Sequence, residues 1–266
     1  MAKAIALGIA GVSVSFAMLA FGYLAGSRPD MISAVPPAVA SQPSSDVTMA
    51  RADIEQVVRD YLLANPDILM EMQTALETRQ EEQQRVSQRQ TIEEQSDEIF
   101  NASYDGIVGN PQGATTIVEF YDYNCGFCKR AMEDMEALVA KDPDLRFVLK
   151  EFPILGPDSQ KAHVVSMAFR ALAPEKYGDF HRALISGGRA TEDAALAIAL
   201  GLGADEQALR SEMQNPAIRT AFENTYELAN RLAITGTPSY VVGNEVIFGA
   251  LGQAVLSEKI ELARAD

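Results

Sequence analysis

Thr115-Thr-Ile-Val-Glu-Phe-Tyr121-Asp-Tyr-Asn-Cys125-Gly-Phe-Cys128-Lys-Arg-Ala-Met-Glu-Asp-Met135 is the stretch whose reading decides the fold. Ile117 to Tyr121 is β-branched and aromatic, the composition of a strand. A polar turn follows, then a run of helical composition that carries the Cys-x-x-Cys pair at its start. This spacing puts Cys125 in the first helical turn and Cys128 about one turn further on. A thiol at a helix start meets unpaired backbone N–H groups and the positive end of the helix dipole, both of which favour thiolate. Thiolate is the attacking species in disulfide exchange, and a second cysteine one turn away can resolve the mixed disulfide.

Other uses of two cysteines fit less well. A structural disulfide across two intervening residues closes too short a loop to remove much chain entropy. A zinc site usually takes four ligands, and the only histidines, His163 and His181, are isolated and far downstream. Covalent haem attachment needs histidine directly after the second cysteine, where Lys129 stands. The redox reading therefore leads, with no metal and no cofactor expected.

The chain has 266 residues, enough for one large domain or a domain with attachments. A formal net charge of −15 argues against nucleic acid and against an anionic membrane surface as partners. Both cysteines belong to the one motif, as suits an oxidising compartment where a stray thiol is a hazard. Residues 4–26 carry no charge and match the ~20 residues needed to cross a bilayer. Lys3 precedes them, so residues 1–26 read as an amino-terminal membrane anchor or a signal sequence. The anchor is favoured because Ala38-Val39-Ala40 lies too far past the apolar run for easy cleavage. Either way, the remainder is exported. Residues 27–50, rich in Pro, Ser and Ala, read as a flexible linker.

Residues 51–100 read as helical. Ile54, Val57, Val58, Tyr61 and Leu62 form an apolar stripe, Asn65-Pro66 breaks the helix, and Leu69, Met72 and Leu76 continue the seam. From Glu77 to Glu98 only Val86 and Ile92 are apolar, which predicts a solvent-exposed spacer. The stripe could pack on the following domain or pair with other copies of the chain. Pairing is favoured, because a polar spacer separates the stripe from any domain that could cover it.

The domain at 101–266 opens with a short strand and turn at Gly106–Pro111. The Thr115–Tyr121 strand, the cysteine helix to about Lys141 and a strand at Leu145–Phe152 follow. This β-α-β order implies parallel strands with the cysteines at a carboxyl end. Residues 158–233 read as an inserted helical block holding His163 and His181, both expected to be packing or helix-face residues away from Cys125. Ser239–Val242, the Gly243-Asn244 turn and Glu245–Phe248 predict a hairpin, and Gln253 to about Ala263 a last helix.

Three local motifs now combine: Val118-Glu119-Phe120 before Asn-Cys-Gly-Phe-Cys-Lys, Lys150-Glu-Phe-Pro-Ile-Leu-Gly156, and Thr235-Gly-Thr-Pro-Ser-Tyr240. With this order of elements, residues 104–264 resemble the DsbA family of exported thiol–disulfide oxidoreductases. The Ile54–Leu69 segment is similar to the amino-terminal, oligomer-forming segment of the ScsC-like branch, which includes trimers. The resemblance implies an α/β thioredoxin fold with an inserted helical subdomain, preceded by a helical oligomerisation stalk. It implies Cys125 as attacking and Cys128 as resolving thiol, and Pro238 after a cis peptide bond beside them. Thr237 would offer backbone atoms to an extended substrate, with Phe127 and Tyr123 as further substrate contacts. Glu119 would be the buried acid beneath the site and Lys150 its partner. The implied partners are cysteine-containing exported proteins, a membrane thiol–disulfide redox protein and further copies of the chain. Strongly oxidising relatives carry histidine between the cysteines. Here Gly126-Phe127 offers no charge, which implies a weaker oxidant and favours isomerase over oxidase. A Cu(I) carrier using the two thiolates, or a holdase, is the reading from another class.

Overall fold

The computed structural model describes residues 51–265. Residues 1–26, expected to anchor or export the chain, and the linker at 27–50 lie outside the described residues. The chain divides into two units, residues 1–63 and 64–266. In the first, the described residues form α1 (Arg51–Ala64), which buries no side chain. Its stripe residues Ile54, Val57, Val58, Tyr61 and Leu62 are each at least 45% exposed.

The second unit begins with α2 (Asp67–Glu94) and α3 (Ser96–Phe100), then β1 (Gly106–Gly109), β2 (Thr115–Tyr121), α4 (Gly126–Lys141) and β3 (Leu145–Glu151). The helical block follows: α5 (Pro157–Leu172), α6 (Tyr177–Ser186), α7 (Glu192–Gly201), α8 (Glu206–Glu212) and α9 (Pro216–Arg231). The chain closes with β4 (Ser239–Val242), β5 (Glu245–Phe248) and α10 (Gln253–Ala265). The sheet order is β1-β3-β2-β4-β5. Only β2 and β3 are parallel, as the right-handed β-α-β unit through α4 requires.

β2 is central, and its side chains alternate between two cores. Ile117 and Tyr121 join Cys128, Met132 and Met135 of α4 and the apolar faces of α5 and α6. Val118 and Phe120 face Val148, Phe152, Leu228 of α9, Ile99 of α3 and Ile92 of α2. This second core corrects the reading of residues 77–98 as a free, exposed spacer. Leu69, Met72 and Leu76 are exposed, but the end of α2 docks through Ile92 and through Gln88, whose Nε2 donates to the Leu232 carbonyl at 2.7 Å. One apolar residue and one buried amide are enough to seat a helix whose average composition is polar.

Candidate functional site: a dithiol at the start of α4

α4 starts where Cys125 leaves helical geometry, at φ −77° and ψ 117°, and its Sγ accepts from the Cys128 amide as the N-cap of the helix. The turn before it is fixed by Asp122. The Asp122 carbonyl accepts from the Cys125 amide at 2.9 Å, and its carboxylate accepts from the amides of Asn124 (2.8 Å) and Leu155 (2.9 Å). Ser159 Oγ donates to the same carboxylate at 2.8 Å. From the other side the Cys125 thiol donates to the Thr237 carbonyl at 3.2 Å, and the Thr237–Pro238 bond is cis. Thr237 and Pro238 thus border the thiol.

The two thiols are free and differ in environment. Cys125 has its pKa lowered to about 5 by a hydrogen bond from Cys128, with help from Thr237 and from the Cys128 and Phe127 backbone. No charged side chain supplies this. Cys128 is fully buried, and burial, its hydrogen bond to Cys125 and the nearby Glu119 charge push its thiol well above the ordinary range. Both thiols are buried, and the surroundings favour thiolate at Cys125 and thiol at Cys128. Glu119 lies on the α4 side of β2, and burial followed by the Cys125 charge raises its pKa to about 8.

Lys150 is not the partner of Glu119. In the parallel register Glu119 pairs with Leu149 and Phe120 with Lys150, so the two side chains emerge on opposite sheet faces. Lys150 Nζ instead donates to Asp105 at 2.5 Å and to the Glu98 carbonyl, joining the end of the stalk segment to β3. Tyr123 does not reach substrate either. It is fully buried, with its hydroxyl 2.8 Å from Ser166 Oγ and 3.3 Å from His181 Nδ1. Phe127, by contrast, is 57% exposed, and the Arg130 guanidinium lies 4.3 Å from its ring centroid.

His163 is a buried packing residue, as expected, but it lies beside the motif rather than away from it. Its Nε2 accepts from the Tyr123 amide at 3.2 Å, two residues before Cys125, and its Nδ1 meets Glu151. Ser166 Oγ also donates to Glu151, at 2.6 Å. Asp122 and His163 are the supporting residues that the sequence left unassigned. The only signal was Asp-x-Asn before the cysteine, a turn composition. His181 is buried in the same cluster, and burial, then the proximity of His163, lowers its pKa to about 3, so it is neutral. Among the described residues no cluster of three or more His, Cys, Asp or Glu could hold a metal.

A central β-α-β unit with a dithiol capping its helix, bordered by a cis-proline turn, defines the thioredoxin-fold class of thiol–disulfide oxidoreductases. Residues 116–261 match the DSBA-like thioredoxin domain, and residues 51–83 match the Copper resistance protein ScsC N-terminal domain. A thioredoxin-like oxidoreductase from Silicibacter pomeroyi is 38% identical, covering 64% of this chain and 98% of that one, with a TM-score of 0.61. BcfH of Salmonella enterica Typhimurium is 27% identical over 80% of this chain and 95% of its own, with a TM-score of 0.69. Proteus mirabilis ScsC, solved in a transitional conformation, is 26% identical over 83% of this chain and 99% of its own, with a TM-score of 0.59. The chain belongs to the DsbA-like thioredoxin-domain family, in its ScsC-like branch. It is a thiol–disulfide oxidoreductase of the DsbA type, and the Cys125–Cys128 pair lies within the matched domain.

Proposed function

We propose that the protein is an exported, oligomeric protein disulfide isomerase, tethered in the periplasm or another extracytoplasmic space by residues 1–26. The observation that carries this reading is a pair of exposed apolar stripes, one on α1 and one on the first half of α2, each taken by itself. Ile54, Val58, Leu62, Leu69, Met72 and Leu76 are all exposed in the single chain. A row of large apolar side chains at helical spacing is an interface awaiting a partner. The match of residues 51–83 to the ScsC N-terminal domain covers both stripes and supports self-association, for instance as a trimer.

In this reading the Cys125 thiolate attacks one sulfur of a wrong substrate disulfide. That S–S bond breaks as the mixed disulfide forms, and the other substrate sulfur leaves as thiolate. The freed thiolate attacks a different substrate disulfide, and the thiolate expelled there attacks the mixed disulfide and releases Cys125. Otherwise Cys128 attacks Cys125 Sγ, forming the Cys125–Cys128 disulfide and releasing the substrate reduced. In that second case the carboxylate of the buried Glu119 takes the Cys128 proton. Several sites on one oligomer raise the effective thiol concentration around a bound substrate. A membrane thiol–disulfide partner would return the pair to the dithiol, and the substrates are exported proteins with cysteines. No cofactor enters the scheme.

One observation favours the alternative, a dithiol oxidase. A Cys125 pKa of about 5 stabilises the reduced form and makes the disulfide more oxidising. The deciding test is incubation of the dithiol protein with a scrambled-disulfide protein, beside incubation of its disulfide form with a reduced one. Faster recovery of native disulfides in the first assay than with small thiols alone supports the isomerase. Activity in the second assay only would make it an oxidase.

A further inference from the structure

Residues 187–189, between α6 and α7, form an exposed loop that ends at the buried Ala190. Two side chains flanking Cys125 hold this loop. Asn124, one residue before the thiol, pairs with the Ala190 backbone in both directions. Its Nδ2 donates to the Ala190 carbonyl at 2.9 Å and its Oδ1 accepts from the Ala190 amide at 2.8 Å. The same Nδ2 donates to Ser159 Oγ at 3.0 Å. Lys129, one helical turn after the thiol, donates from Nζ to the carbonyls of Gly187 (2.9 Å) and Gly188 (2.6 Å). Arg189 is paired outward with Asp158 at 2.7 Å.

Asn124 and Lys129 stand on either side of Cys125 in the chain, and both hold this loop. Thr237 contacts the sulfur itself. We propose that the Gly187–Ala190 loop is a second wall of the substrate cleft, complementing Thr237–Pro238, and that Gly188 determines how bulky a disulfide can reach Cys125. Lys129 and Asn124 are positioning residues for this wall. A side chain at Gly188 would meet nothing within 4 Å, and its backbone is outside the left-handed region, so the position is bare without a steric need to be. The missing side chain leaves room for a folded or collapsed polypeptide, whereas a small disulfide needs no such room. The proposal rests on exchange at Cys125 and is independent of the isomerase or oxidase direction.

The test compares second-order rates of the reduced full-length protein with a disulfide-containing protein and with dithiodipyridine. Gly188→Trp is expected to lower the ratio of the two rates roughly tenfold, since a steric block acts on the larger partner. Gly188→Ala is expected to leave the ratio within about twofold. Adding Lys129→Met to Gly188→Trp releases the loop, so amide hydrogen exchange at 187–190 accelerates and the ratio recovers. An unchanged ratio in Gly188→Trp, or an equal fall with both disulfides, would overturn the assignment of the wall. Failure of the double variant to recover would overturn the role of Lys129.

Discussion

Cys125 and Cys128 are three residues apart, yet their thiols lie on opposite sides of the ordinary thiol range. The difference comes from position alone: one caps a helix, the other is enclosed by β2 and α4. Alkylation of the reduced protein is expected to label Cys125 first, with a pH midpoint near 5. Cys128→Ser is expected to accumulate mixed disulfides through Cys125, and Cys125→Ser to abolish exchange; mass spectrometry of trapped complexes checks both. Glu119 gives a second prediction, with its sign fixed by linkage. Its folded pKa is raised, so its stability is present below the usual carboxylate range and is lost as pH rises through about 8. Glu119→Gln is therefore expected to raise Tm near pH 8 and change little at pH 4. The rise is roughly 2–4 °C for each kcal/mol recovered. Exchange by the same variant is expected to slow, because the Cys128 proton loses its acceptor. A Tm that rises equally at both pH values would contradict the burial of the charge.

At the scale of elements, α2 carries two unlike halves. Leu69, Met72 and Leu76 are exposed, whereas Gln88 and Ile92 are built into the catalytic unit. Gln88→Ala leaves the Leu232 carbonyl without its donor and is expected to cost about 1–3 kcal/mol in denaturant unfolding. Leu69→Glu, on the exposed half, is expected to leave single-chain stability unchanged. The apolar stripe was legible because helical spacing is local. The Gln88 bond was not, because it spans 144 residues and a glutamine in a polar run looks like any other. The same limit explains Lys150. Strand identity and the cysteine position follow from local composition, but the face on which Lys150 emerges depends on register against β2, which no local pattern encodes. Tyr123, expected as a substrate contact, is buried instead. Three buried partners, Ser166, His163 and His181, come from helices far along the chain. The Thr237–Pro238 turn was legible only through the combination of three motifs.

For the whole molecule, these halves change where the stalk can be cut. Removing residues up to 100 would take Ile92 and Ile99 out of the second core and the Glu98 carbonyl away from Lys150. A cut ending at residue 83 removes the apolar stripe and spares Gln88 and everything after it. Charged substitution in the stripe is the gentler version, since the replaced side chains are half-exposed and belong to neither core. The central claim is that self-association through α1 and α2 turns an exchange site into an isomerase. The most direct measurement is the solution mass of residues 27–266 and of its Val58→Glu/Leu62→Glu variant, by sedimentation, with refolding of a scrambled-disulfide protein followed on the same samples. The account predicts a multimer with isomerase activity, and a monomeric variant that has lost it while its Cys125 alkylation midpoint stays near 5. A monomeric parent, or a monomeric variant that refolds the scrambled protein equally well, would contradict it.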